Sequence, residues 1–245
     1  MPAPHWIHSA ATRWACTGIA LAAAACAPLS PKPEKTSEAP PVAAACPPAL
    51  AALARCLAGQ DSAGAYYLIA MPHQWNGHLV LHAHGGPALG APRPERSAAD
   101  LERWAIMVKA GYAWAGSTFR QGGVEVRAAA EDTERLRQIF VGHVAQPRRT
   151  ILHGQSWGAS VAARGAEMFT STTQGQRPYD AVLLTSGVLA GGSRSYDFRT
   201  DLRVVYQYLC NNHPRPTEVQ YPLNIGLPAD ATLTPTDLAV RVNEC

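Results

Sequence analysis

The sequence predicts an α/β protein: a doubly wound, mostly parallel sheet with helices on both faces. Two observations carry this expectation. Between about residues 65 and 190, aliphatic runs of strand length alternate with longer stretches whose apolar residues recur at helical spacing. The chain of 245 residues, 47% hydrophobic and 16% charged, also holds enough apolar side chain for one substantial core.

The elements follow in order. AYYLIAM and HLVLHAH are aliphatic and aromatic runs separated by PHQWNG, whose Pro, Asn and Gly signal a turn, so they are expected to be neighbouring strands. ERSAADLERWAIMVKAG places Leu101, Trp104, Ala105 and Val108 on one helical face and ends at Gly111. YAWAGSTF is strand-like, VEVRAAAEDTERLRQIFVGHV helical, RTILH a strand, SWGASVAARGAEMF a helix and YDAVLLTSGV a further strand. Beyond residue 192 the alternation stops. DLRVVYQYLCNN reads as a helix, and a proline-rich stretch leads to a short helix near Pro235 to Asn243.

The N-terminus reads differently. MPAPHWIHSAATRW leads into the small apolar run ACTGIALAAAA and then Cys26, which is the form of an export signal. LAAAAC resembles a bacterial lipoprotein box, so lipidation of Cys26, with membrane anchoring, stands beside simple signal cleavage. APLSPKPEKTSEAPPVAAACPP then reads as a Pro/Ala-rich tether. The expected organisation is an export segment over 1–26, a tether and N-terminal segment over 27–60, a core over 61–192 and a cap-like segment over 193–245. Export to an oxidising compartment makes Cys46 with Cys56 and Cys210 with Cys245 plausible disulfide pairs, ordinary thiols being the alternative. The location is then periplasmic, membrane-anchored or secreted.

The formal charge of +3 is small and the cations form no stripe, which argues against a nucleic-acid partner. No metal or cofactor motif stands out. The chemistry concentrates in HGQSWGAS, residues 153–160, where Ser156 lies in G-x-S-x-G between a strand and a helix. A serine hydroxyl becomes a nucleophile when it is exposed, relieved of its proton and matched with donors for the developing oxyanion. Gly154 and Gly158 permit the abrupt strand-to-helix turn that exposes it. The Trp157 N–H, at the helix start, is the first oxyanion donor expected. HAHGGP after an earlier strand offers the second, from Gly86, with Gly85 as the alternative.

Together these motifs resemble the α/β-hydrolase superfamily, over roughly residues 65–190, most of all secreted bacterial esterase-like hydrolases. HGGP and SWG also resemble the proline-iminopeptidase branch, although Ala88 and Ala159 depart from its HGGPG and SWGG. The resemblance implies a serine hydrolase acting on a small-molecule ester, with an aminopeptidase as one alternative and a non-enzymatic envelope binding module as another. It also implies an acid and a histidine after Ser156. His213 is the one histidine there and is carried as the candidate base; a solvent-facing histidine at a helix end is the competing reading. Asp197, Asp201, Asp230 and Asp237 follow no convincing strand, so the acid is left unknown. The aminopeptidase reading further needs a carboxylate for the substrate's amino group, which the sequence does not single out. The sequence therefore leads one to expect a chain that stops before the strands carrying its acid and base, and whose activity is in doubt.

Overall fold

The computed structural model describes residues 36–245 apart from 87, 88, 124, 173, 174 and 226–231. The export segment and Cys26 lie outside the described residues. The core is one seven-stranded sheet in the order β1-β2-β3-β5-β4-β6-β7. Its strands are β1 (Val42–Ala44), β2 (Ala54–Gln60), β3 (Tyr66–Pro72), β4 (His78–Ala83), β5 (Ala113–Ser117), β6 (Arg149–Gln155) and β7 (Ala181–Thr185). β4, β5, β6 and β7 are parallel, whereas β3 runs antiparallel to both β2 and β5. The sheet is mixed and flanked by helices, in keeping with the fold that the resemblance to α/β-hydrolases implies.

α1 (Glu95–Arg103) and α2 (Ala105–Lys109) share one core cluster, with Leu101 and Val108 packed among Leu68, Val80 and Trp114. α3 (Val126–His143) and α4 (Trp157–Met168) share others; Leu136, Ile139 and Phe140 meet Ile69, Leu79, Leu81 and Leu152. Leu79 and Leu81 thus serve one cluster and Val80 the other, the alternation that a strand buried on both faces imposes.

Two differences from the sequence reading concern the sheet's first half. β3 and β4 are not neighbours, because β5 lies between them and pairs with both. PHQWNG reports that the chain turns; which strand fills the adjacent position depends on the crossover through α1 and α2, which carries no local signal. In addition, β1 and β2 lie within the stretch 27–60, and a Cys46–Cys56 disulfide spans them. The helical end of the chain pairs Cys210 with Cys245.

α5 (Gly191–Cys210) and α6 (Pro235–Glu244) form a small assembly through that disulfide. Arg241 reinforces it, donating to both Glu218 oxygens at 2.6 and 2.7 Å and to the Asn212 carbonyl at 2.7 Å. Those bonds hold the Glu218 carboxyl down to about 2. Among the described residues β7 pairs only with β6, so it is an edge of the sheet. No described helix is long and apolar enough to cross a membrane.

Candidate active site

The site is built where β6 ends and α4 begins, with Ser156 as the single residue between them. Its backbone has φ 55° and ψ −119°, a left-handed φ that a residue with a Cβ adopts only when its surroundings impose it. Those surroundings are specific. The Ser156 N–H donates to the Thr185 carbonyl at 2.9 Å, and the Ser156 carbonyl accepts from Ala159 N–H at 3.1 Å and Val188 N–H at 3.4 Å. The flanking glycines serve contact as well as conformation: a Cβ on Gly154 would overlap the Gly158 carbonyl, and one on Gly158 would overlap the carbonyls of Ala83 and His84. Strand, helix and the end of β4 therefore meet backbone to backbone.

Trp157 opens α4, so no carbonyl four residues back within the helix claims its N–H, and the helix dipole adds partial positive charge there. Gly86 has φ 71° and lines the same cleft as Gly85 and Ser156. The Gly85 carbonyl accepts from Arg96 Nη2 at 2.9 Å. In a trans peptide, C=O and the next N–H point in opposite directions, so Arg96 turns the Gly86 N–H away from itself. Gly85 is more confined: a Cβ there would stand 2.8 Å from the Gln155 carbonyl oxygen. Of the two expected donors, Gly86 has the peptide that a side chain orients.

Arg96 Nε also lies 3.3 Å from His84 Nδ1, which is itself 3.3 Å from the Gly85 carbonyl. The ring is buried and stacks on Phe119 with centroids 4.3 Å apart. Burial foremost, then the Arg96 charge, lowers the His84 pKa. His84 and Arg96 together brace the Gly85–Gly86 loop.

The cleft beside Ser156 has a volume of about 650 Å³. Arg93, Arg96 and Arg103 line it together with Glu95 and Asp100, three guanidiniums against two carboxylates. Sequence reading missed this wall. The available signal was the polar face of α1, where Arg96, Asp100 and Arg103 recur at helical spacing directly after the HGG loop.

The expected partners of Ser156 do not assemble around it. His213 lines a different cleft, with Arg203, Tyr206 and Leu238. There its Nδ1 is 2.8 Å from the Tyr221 hydroxyl, and its N–H donates to Gln207 Oε1 at 3.0 Å. Burial, then the charges of Arg203 and Arg241, lower its pKa. The candidate base and the candidate nucleophile thus line different clefts with no hydrogen bond between them, and the solvent-facing alternative fails because His213 is only 8% exposed. The spacing from Ser156 to His213 could not reveal this, because α5 and the Cys210–Cys245 crosslink hold His213 in their own assembly. Among the described residues, none hydrogen-bonds the Ser156 hydroxyl.

His153 is fully buried near the end of β6. Burial, and secondarily His82, pushes its pKa down from 6.5 to about 4. A histidine depressed in the folded state binds its proton less readily than in the unfolded chain, so its contribution is present above pH 6.5 and is lost as pH falls to about 4. The expected loss is on the order of 3 kcal/mol. Urea unfolding followed from pH 7 to pH 4 should show it, and His153→Gln should flatten that limb; an equally steep limb in the variant rules out His153 as its source.

No family model matches the sequence, and no curated protein matches it. Among solved structures, the chain is similar to an esterase from the bacterial hormone-sensitive lipase family at 18% identity and TM-score 0.45, covering 72% of this chain and 61% of that one. It is also similar to the inhibited esterase B of Lactobacillus rhamnosis at 16% identity and TM-score 0.43, covering 61% and 53%. A bacterial heroin esterase is similar at 19% identity and TM-score 0.39, covering 54% and 43%. The chain spans about half the length of such structures.

Proposed function

We propose that Ser156 is the nucleophile of a serine hydrolase acting on small-molecule carboxylic esters. The observation that carries the reading is the Ser156 backbone at φ 55° between β6 and α4, imposed by glycines on either side. That conformation stands the hydroxyl at the apex of the turn. In the proposed reaction Ser156 Oγ adds to the ester carbonyl, the Trp157 and Gly86 amides stabilise the oxyanion, the alcohol departs and water releases the acid from the acyl-enzyme. No described imidazole lies within hydrogen-bond reach of the hydroxyl, so turnover by this chain is expected to be slow. Oxyanion stabilisation and binding alone still leave a residual rate of roughly 10³ to 10⁴ over water.

A fluorophosphonate probe tests the nucleophile. The folded protein is expected to label, and Ser156→Ala to abolish the labelling. A folded protein that stays unlabelled sinks the enzyme reading and favours a binding module. Nitrophenyl esters against amino-acid nitroanilides then separate esterase from aminopeptidase. Glu95 and Asp100 are carboxylates of the kind an aminopeptidase needs, yet the three guanidiniums beside them oppose a free ammonium group, which supports the ester reading. The export signal and lipidation at Cys26 belong to the same proposal: an envelope hydrolase on a tether, with two disulfides suited to an oxidising compartment.

A further inference from the structure

We propose that Asp100, on the wall of the Ser156 cleft, sets the proton order of a buried chain through His82, His153 and Thr185, and thereby acts as a positioning residue for the Ser156 turn. The nucleophile chemistry proposed above uses none of these four side chains. His82 and His153 face each other in register on β4 and β6, are 1% and 0% exposed, and bring their Nδ1 atoms within 2.9 Å. Trp104 and Trp114 close around them, with ring centroids 4.5 Å from His153 and 5.6 Å from His82 respectively.

Two ring nitrogens at that separation hold one proton between them, so only two orders connect the neutral rings. In the first, His153 Nδ1–H donates to His82 Nδ1. His82 then carries its own proton on Nε2, a buried atom that makes no hydrogen bond and faces Asp100 Oδ1 at 3.9 Å. At the other end, His153 Nε2 is free to accept from the Thr185 hydroxyl at 3.4 Å. In the second order every proton moves over. His82 Nε2 turns a lone pair toward the Asp100 carboxylate, His153 Nε2–H donates to Thr185, and the Thr185 hydroxyl donates to the Gly154 carbonyl at 3.2 Å.

The carboxylate decides between them. An N–H directed at a negative charge is favoured and a lone pair directed at it is not, and inside a dry sheet such preferences are larger than in water. Asp100 therefore selects the first order. The choice matters at the elbow because the Thr185 hydroxyl either engages His153 or holds the Gly154 carbonyl. The Thr185 carbonyl receives the Ser156 N–H. A charged group bound beside Asp100 would thus be felt at the turn. The proposal concerns the turn and holds whether or not Ser156 is a nucleophile.

Histidine ¹⁵N spectra of the folded protein test the proton order, and the Gly154 carbonyl ¹³C shift tests its link to the elbow. In the unsubstituted protein His153 is expected to carry its proton on Nδ1, with Nε2 unprotonated. In Asp100→Ala, a change from a partly exposed helical site to a good helix former, the proton is expected to move to His153 Nε2, with the Gly154 carbonyl shifting as it gains a hydrogen bond. Thr185→Val should leave the proton on His153 Nδ1, since Asp100 and not Thr185 sets the order. A proton on His153 Nε2 in the unsubstituted protein, or an unchanged order in Asp100→Ala, overturns the proposal. A His153 proton that moves without any Gly154 response removes Asp100's role at the turn. The unsubstituted spectrum decides the order even if a variant does not fold.

Discussion

Gly158→Val is expected to destroy the folded site, with a loss of more than about 4 kcal/mol of stability or no recoverable native protein. A Cβ at this position would overlap the backbone carbonyls of Ala83 and His84, where the end of β4 meets the first turn of α4. A collision with a flexible side chain can be relieved by a rotamer change, but a collision with two carbonyls requires β4 and α4 to separate. Separation would undo the contacts around Ala83, which is fully buried with Val161 and Ala130. Urea denaturation and fluorophosphonate labelling measure the two consequences. Gly165→Ala is the control within the same helix: the Cβ meets a Leu152 methyl at 3.2 Å, a side chain able to shift. If Gly158→Val matched that control in stability, the close backbone approach would not be what the glycine is for.

Asp132→Ala is expected to cost about 4 kcal/mol, because it removes the acceptor of a buried ion network. Asp132 is fully buried in α3. Its carboxylate accepts from the Arg120 N–H and Nε at 2.7 Å each and from Arg135 Nη2 at 3.0 Å. Arg135 Nε reaches on to Asp61 at 3.0 Å, and Asp61 also accepts from the Ala63 and Ala65 amides. One carboxylate thus joins the loop after β5 and the turn between β2 and β3 to α3. Burial raises the Asp132 pKa against the hydrogen bonds from Arg120, which lower it, while the same contacts raise the Arg120 pKa. Three short donors converge on Asp132, and removing it leaves Arg120 with the Glu131 carboxylate and the Ala128 carbonyl. Thermal or urea unfolding at pH 7 reads the loss. A change below about 1 kcal/mol would mean that Glu131 and Asp61 take over the two arginines.

The legible part of the site was its local part. G-x-S-x-G between an apolar run and a helical stretch gives the turn, and HGG after a strand gives the loop facing it. Both follow from backbone sterics that act over a few residues. The cleft wall was legible only in hindsight, as a polar stripe on α1, because a stripe does not say whether it faces solvent or a site. His82 and His153 were individually visible as strand histidines. Their contact was not, because it depends on β4 pairing with β6 across 71 residues of chain.

The sequence by itself determined the alternation of strands and helices and the glycine-flanked turn at Ser156, for these rest on hydrophobic period and glycine conformation; the pairing of Cys46 with Cys56 and Cys210 with Cys245 is fixed by the folded chain. Tertiary structure alone decided that β5 lies between β3 and β4, that Arg96 orients the Gly85–Gly86 peptide, and that His213 belongs to the α5–α6 assembly with Tyr221. Each of those outcomes is set by which distant segments pack together, and the free energy of packing is a property of the assembled surfaces rather than of any stretch of chain read alone.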